Sequence, residues 1–246
     1  MAPRFDALAD RLYRTTDLIN YNTAYSVLFW LYLTTDTNNF VYIWTNNADP
    51  DIYHDSVRLD ADGVTIRATQ YTGAFQQGNG TVLTVNQWYH CALVRVNATS
   101  LILYLDGVNV SSTSNSVSGR AANTRMEFGA FNPSNDYRLD GRIHAPRIYS
   151  AALSVDEIAD ERFYARPRRY TNLYGNWPTF PGATERITDW SGNGRNWIEG
   201  GTLTDEDGPP LVWDAPVLTF PYVEAAEFPP VPGQIHKTRS WAGLRM

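Results

Sequence analysis

The stretch Trp88-Tyr-His-Cys-Ala-Leu-Val-Arg-Val-Asn-Ala-Thr-Ser-Leu-Ile-Leu-Tyr-Leu-Asp-Gly107 decides the fold class of this chain. Its branched and aromatic residues predict two β-strands joined by a short turn. It ends in Asp106-Gly107, a pair typical of tight hairpins, because Gly readily adopts positive φ and Asp tolerates the left-handed region. The stretch therefore predicts antiparallel β-structure.

Strand patterns of the same kind recur through residues 1–150. Runs rich in aromatic and branched side chains alternate with Gly, Asn and Asp turns, at residues 25–33, 39–45, 56–60, 64–69, 81–85, 125–131 and 139–149. One helix is predicted over residues 154–163, where Ser154 and Glu157 have the spacing of a capping box. Many strands with a single short helix indicate an all-β sandwich or barrel.

Composition and charge exclude several classes of protein. The chain has 246 residues, 43% of them apolar, so a sizeable core is expected. Its net charge of −6 and the lack of a basic block argue against nucleic-acid binding. No apolar run approaches the roughly 20 residues of a membrane helix, and the N-terminus lacks a signal-peptide core. Cys91 is the only cysteine, so we expect no intrachain disulfide and synthesis in the cytoplasm.

A change in composition divides the chain in two. Four of the 14 prolines lie in residues 1–166 and ten lie in residues 167–246, which also hold five of the eight tryptophans. Because Pro cannot donate to a strand ladder, the second segment is predicted to be extended and irregular, packing on the domain or on a partner. The candidate partner-binding residues are Trp213, Phe228, Pro229, Pro230 and Trp241.

Three segments of the chain resemble one family. Residues 4–12 (Arg-Phe-Asp-Ala-Leu-Ala-Asp-Arg-Leu), the 88–107 hairpin and residues 139–158 occur in the order seen in laminin-G-like domains of the concanavalin A-like lectin/glucanase superfamily. The resemblance implies a jelly roll of two antiparallel sheets that binds glycans or proteins, often beside a calcium ion. The run Asp189-Trp-Ser-Gly-Asn-Gly194 is similar to one in bacteriophage-encoded members, which implies a virion surface module.

The catalytic residues of a glycosidase are not found in the sequence. A glycosidase needs two carboxyl groups flanking the scissile bond, and the resemblance implies an E-x-D-x-E run that this chain lacks. Glu127 has Arg125 and Gly129 as its predicted same-face neighbours. Glu157 and Glu161 are expected on a solvated helix face. We therefore expect no enzymatic activity.

The sequence does not strongly indicate a nucleophile–base pair or a metal site either. His90 and Cys91 are adjacent on a strand, so they point to opposite faces and do not form a nucleophile–base pair. No cofactor is expected, although Asp60 and Asp62 are weak calcium candidates. The simpler interpretation is that both aspartates accept hydrogen bonds from the backbone of a turn.

Two loops are the predicted glycan-binding sites, because they combine aromatic rings with planar polar groups. The candidate residues are Asn46, Asn47, Asp49, Asp51, Tyr53, Asn132, Asn135, Asp136 and Tyr137. Trp30 and Trp44 are expected in the core.

The predicted function is that of a non-catalytic binding or structural module on a phage-type virion, as a capsid-decorating, fibre or tail protein. It would bind other virion proteins or further copies of itself as a homo-oligomer, and present the jelly roll to glycans. The alternatives are a free carbohydrate-binding lectin and a glycoside hydrolase of the same superfamily.

Overall fold

Strands dominate the computed structural model, which describes residues 1–7, 9–20, 22–36, 40–45, 54–71, 75–114, 123–130 and 138–211. These residues form one helix, α1 (Val155–Arg162), and sixteen strands: β1 (Ala2–Phe5), β2 (Arg11–Arg14), β3 (Tyr25–Leu33), β4 (Phe40–Thr45), β5 (His54–Leu59), β6 (Thr65–Tyr71), β7 (Phe75–Gln77), β8 (Thr81–Val82), β9 (Trp88–Asn97), β10 (Ser100–Leu105), β11 (Val108–Thr113), β12 (Arg125–Phe128), β13 (Gly141–Tyr149), β14 (Leu173–Asn176), β15 (Ile198–Gly200) and β16 (Thr204–Glu206).

The strands form two antiparallel sheets. The first sheet has the order β11-β10-β9-β3-β13-β1-β16, and β14 also pairs with β13. The second sheet has the order β15-β2-β12-β4-β5-β6-β7, and β8 also pairs with β6. The predicted all-β antiparallel sandwich of the jelly-roll type is therefore confirmed.

The side chains of β3 alternate between the two faces of the first sheet, as the period of a strand requires. Val27, Phe29 and Leu31 are fully buried and join the core between the sheets. Leu28 belongs to a second apolar cluster on the outer face. Trp30 shares that outer face and is half-buried, so its predicted place in the core was wrong.

The 88–107 hairpin has the predicted form. The turn between β10 and β11 has positive φ at Asp106 (52°) and at Gly107 (85°), which confirms the tight Asp-Gly turn. Cys91 is fully buried in the central core, where burial raises the pKa of its thiol. His90 points to the other face and contacts Trp30, so the two side chains are separated by the strand as predicted.

Helix α1 covers part of the outer face of the first sheet. The Ser154 hydroxyl accepts from the N–H of Glu157 at 3.3 Å, and the Glu157 carboxylate accepts from the N–H of Ser154 at 2.9 Å, which confirms the capping box. Ile158 packs with Leu28 and Tyr149 in the outer cluster. Among the described residues, no helix has the length and apolar character needed to cross a membrane.

Residues 167–211 are built into the sandwich. They supply β14, β15 and β16, which pair with β13, β2 and β1 respectively. The rings of Trp177 and Trp197 lie 4.8 Å apart between their centroids and are almost completely buried in the central core. The compact unit Met1–Trp213 thus extends past residue 166, where the composition changes.

A buried ion pair joins the two sheets. Asp55 on β5 accepts from the Arg95 guanidinium on β9 through both carboxylate oxygens, at 2.6 and 2.9 Å, and neither side chain is exposed. The Tyr25 hydroxyl donates to the same carboxylate at 2.8 Å. The pairing compensates for the cost of removing both charges from water and fixes one sheet against the other.

Candidate functional site

The predicted glycan-binding and partner-binding residues lie outside the described part of the chain. They remain predictions, and they are Asn46, Asn47, Asp49, Asp51, Tyr53, Asn132, Asn135, Asp136, Tyr137, Trp213, Phe228, Pro229, Pro230 and Trp241.

The two calcium candidates lie in the turn between β5 and β6. The Asp62 carboxylate accepts from the N–H groups of Val64 and Thr65 at 3.0 and 2.8 Å and from the Thr65 hydroxyl at 2.5 Å, which lowers the pKa of Asp62. Asp60 forms an ion pair with Arg67. These contacts are those of a hydrogen-bonded turn. Within the described ranges, no three His, Cys, Asp or Glu side chains are grouped as metal ligands would be.

The aromatic rings on the outer face of the first sheet are covered by arginines. The Arg142 guanidinium lies 3.9 Å from the centre of the Tyr32 ring and 5.8 Å from that of Trp88. The Arg162 guanidinium lies 6.0 Å from the centre of the Trp30 ring. Because an arginine lies over each of these three rings, Tyr32, Trp88 and Trp30 do not form an open platform for a ligand.

A cavity with uncovered aromatic walls lies between two segments that follow the helix. This aromatic cavity has a volume of about 220 Å³ and is formed by residues 165–170 on one side and residues 176–190 on the other. Tyr170 is 67% exposed and Trp190 is 58% exposed. The Trp190 ring is supported by Phe180, with the ring centroids 5.1 Å apart and the planes nearly perpendicular. The cavity thus presents a rigid aromatic surface to solvent.

The run Asp189-Trp-Ser-Gly-Asn-Gly194 forms the loop that carries Trp190. One carboxylate oxygen of Asp189 accepts from the N–H groups of Asn176 and Ser191, at 3.0 and 2.9 Å. The other oxygen accepts from the Ser191 hydroxyl at 2.8 Å and from the N–H of Arg195 at 2.9 Å. The N–H of Trp190 donates to the Asn176 carbonyl at 2.7 Å. The backbone of Trp190 is therefore fixed while its side chain projects outward.

Glu161 holds the opposite wall of the cavity. One of its carboxylate oxygens accepts from the N–H groups of Arg168 and Arg169, at 2.8 and 2.9 Å, and from the Tyr149 hydroxyl at 2.8 Å. The other oxygen accepts from the Arg147 guanidinium at 2.6 Å. Glu161 is 2% exposed, so its predicted place on a solvated helix face was wrong. Burial and the neighbouring Glu161 raise the pKa of the Tyr149 hydroxyl.

Arg147 connects the two walls. Its guanidinium donates to the Glu161 carbonyl at 3.0 Å and to the Tyr164 carbonyl on the first side. On the second side it donates to the side-chain oxygen of Asn176 at 3.3 Å. The Asn176 amide is thereby oriented with its oxygen toward Arg147. Its NH₂ group makes no hydrogen bond to the described residues, and Asn176 lines the cavity.

A second cavity, of about 370 Å³, lies where β11 approaches the end of β7. It is lined by amide and hydroxyl side chains such as Gln77, Asn109 and Ser112, and no aromatic ring lines it. The flat apolar surface that a sugar ring prefers is therefore present only in the first of these two cavities. Neither of the two is lined by a carboxylate.

Glu127 is not placed for catalysis. Its carboxylate is fully buried and pairs with the Arg125 guanidinium at 2.7 Å, on the strand face predicted for these two residues. A catalytic acid must reach the scissile bond and have a second carboxyl group within about 10 Å across the substrate.

Sequence reasoning missed Tyr170 and Trp190 as candidate ligand-binding residues. The run that contains Trp190 carries the resemblance to bacteriophage-encoded proteins, and the aromatic residue at its second position is the available signal. Tyr170 follows Arg166-Pro-Arg-Arg169, which carries no pattern that distinguishes an exposed wall from a surface loop.

Comparison with known proteins agrees with the fold. Residues 9–159, more than half of the chain, match a laminin G family model described as "Concanavalin A-like lectin/glucanases superfamily". No curated protein matches the sequence.

Many solved structures have similar folds, and they include two that each cover more than four fifths of this chain. One is a Bacteroides ovatus protein inferred to bind carbohydrate, with a TM-score of 0.63, 15% identity, and coverage of 85% of this chain and 60% of that one. The chain thus spans about 60% of the length of the Bacteroides protein. The other is the heptameric SAP-like pentraxin of Limulus polyphemus, with a TM-score of 0.54, 13% identity, and coverage of 84% and 92%.

Proposed function

The chain belongs to the concanavalin A-like lectin/glucanases superfamily, and on that premise we propose that it is a non-catalytic, lectin-like module that binds glycans at the aromatic cavity. The observation that carries the proposal is the pair of exposed rings, Tyr170 and Trp190, on two walls that a buried hydrogen-bond network holds in place.

The cavity has the chemistry that sugar binding requires. The apolar face of a pyranose stacks on an aromatic ring, and its hydroxyls bond to planar polar groups such as the Asn176 NH₂, which makes no hydrogen bond to the described residues. A volume of about 220 Å³ is below the range of roughly 300–1,000 Å³ that buries a whole drug-sized ligand. We therefore propose that it receives a single ring of a longer glycan. The inferred carbohydrate binding of the Bacteroides protein of similar fold supports this proposal.

A role as a glycoside hydrolase is disfavoured by the same site. Because none of the described residues that line the aromatic cavity carries a carboxylate, a sugar bound there would meet neither a general acid nor a nucleophile among them. We propose that the module acts without catalysis and without a metal ion, so a chelator is expected to leave glycan binding unchanged.

A glycan array followed by calorimetry tests the proposal. Binding to at least one glycan is expected, with a loss of at least tenfold in affinity for Trp190→Ala and Tyr170→Ala. Phe163→Ala is the matched control, since Phe163 is 54% exposed but does not line the cavity. Tyr53→Ala and Tyr137→Ala test the loops predicted from sequence. Absence of binding across a broad array would remove the proposal.

The setting that we propose is the surface of a virion, where the module would assemble with other virion proteins or with copies of itself. The proposal rests on the resemblance of the 189–194 run and on the aromatic and proline residues after Trp213. Deletion of residues 228–246 is expected to abolish incorporation into particles while the sandwich still folds. Unchanged incorporation, measured by mass analysis of purified particles, would contradict this role.

A further inference from the structure

The charge of the aromatic cavity indicates which glycans it prefers. Among the described residues that line the cavity, Arg166 alone carries a charge. Its side chain is exposed, and it makes no hydrogen bond or ion pair to any residue that the structure describes. On either side of it in the chain, Ala165 and Pro167 are buried and fix the backbone. An unpaired guanidinium thus stands at the edge of an aromatic surface.

Three carboxylates of the described residues near this cavity are engaged elsewhere. Glu161 is buried against Arg147, and the Asp189 carboxylate accepts four hydrogen bonds, three from Ser191 and Arg195 and one from the N–H of Asn176. Glu157 pairs with Arg169. The side chain of Arg166 therefore has no carboxylate among these neighbours to compete with a ligand, although the chain as a whole has a net charge of −6.

We propose that the aromatic cavity selects acidic glycans, and that it binds the carboxylate of a uronic acid residue through Arg166. This inference rests on the proposed glycan binding and adds the class of sugar. The planar guanidinium matches a carboxylate with two parallel N–H donors, and the contact is stronger than a neutral hydrogen bond. The ring that bears this carboxylate stacks on Trp190, and its hydroxyls lie within reach of the Asn176 amide.

The test compares each uronic acid oligosaccharide with its own methyl ester, which keeps the sugar and removes the charge. Oligomers of galacturonate, glucuronate and mannuronate serve as probes, with a sulfated neutral oligosaccharide as a further anion. For at least one uronide, the acid is expected to bind about tenfold more tightly than the ester, with a preference that weakens as salt is added.

Arg166→Gln is expected to remove the preference for the acid, so that the acid and its methyl ester bind the variant with the same affinity. Arg168→Gln is the matched control, because Arg168 is also exposed but lies over the Tyr164 ring and does not line the cavity. Equal affinity for acid and ester, a preference that survives Arg166→Gln, or binding of the sulfated probe alone would overturn the inference. Neutral glycan binding that is lost in Trp190→Ala, without any preference for acids, would leave the proposed function standing and reject only the acidic class.

Discussion

Replacement of Trp177 tests whether the chain beyond residue 166 belongs to the core of the sandwich. The side chain is 0% exposed, its ring centroid lies 4.8 Å from that of Trp197, and its indole N–H donates to the Arg195 carbonyl at 2.8 Å. Truncating a buried Trp to Ala costs about 3–5 kcal/mol, and losing the hydrogen bond adds about 1 kcal/mol. We expect Trp177→Ala to lower the free energy of unfolding by about 4–6 kcal/mol, out of the roughly 5–15 kcal/mol typical of a domain.

The assay is urea unfolding followed by far-ultraviolet circular dichroism and tryptophan fluorescence. Trp190→Ala is the matched control, because the same truncation in the same segment removes a side chain that is 58% exposed and is expected to cost about 1–2 kcal/mol, most of it from the contact with Phe180. If Trp177→Ala does not fold, Trp177→Phe gives a smaller loss that can still be measured. Equal, small losses for Trp177→Ala and Trp190→Ala would refute the reasoning.

Three further predictions concern buried polar groups. Burial lowers the pKa of His90 to about 3 while the unfolded state titrates near 6.5, so stability falls with pH below about 6.5 by up to about 1.4 kcal/mol per unit. Denaturation between about pH 7 and pH 5 should therefore show a shallower decline for His90→Phe, and an equal slope would contradict this. Asp55→Ala leaves the Arg95 guanidinium buried without its carboxylate and is expected to cost about 3–5 kcal/mol in urea unfolding, while the double variant Asp55→Leu/Arg95→Met should recover part of the loss. Cys91 is buried and the pKa of its thiol is raised, so a thiol reagent should label it only in denaturant; rapid labelling of the native protein would count against its placement in the core.

The elements that sequence reasoning placed well are those encoded locally. The bounds of β3 match the predicted residues 25–33, because nine residues of strand pattern end in recognisable turns. The Asp106-Gly107 turn and the Ser154 cap depend on neighbours within a few residues. Each of these features is fixed by side chain and backbone chemistry inside a short window.

The strands of the second segment could not be predicted in this way. β14, β15 and β16 have three or four residues each, and they pair with strands that lie far away in the sequence. The prolines of this region flank the three strands and do not interrupt them, so composition alone suggested an irregular chain.

The candidate site depends on contacts that no short window contains. Glu161 has the pattern of a surface helix residue, yet the outward side chain of Arg147 on β13 meets it and buries both. The aromatic cavity arises only when this ion pair aligns residues 165–170 with the loop of Trp190. Sequence reasoning could name the family of the scaffold, but it could not bring these two segments together.

In the loop that carries Trp190, the groups that hold the backbone in place differ from the side chain that would contact the proposed ligand. Its hydrogen bonds run through the Asp189 carboxylate and the backbone, and none requires the indole. Position 190 can therefore accept other side chains at little cost in folding, and replacements there offer a route to new binding preferences. Under the proposed glycan binding, variation at this single exposed position would change which glycan is bound while the core of the sandwich stays the same.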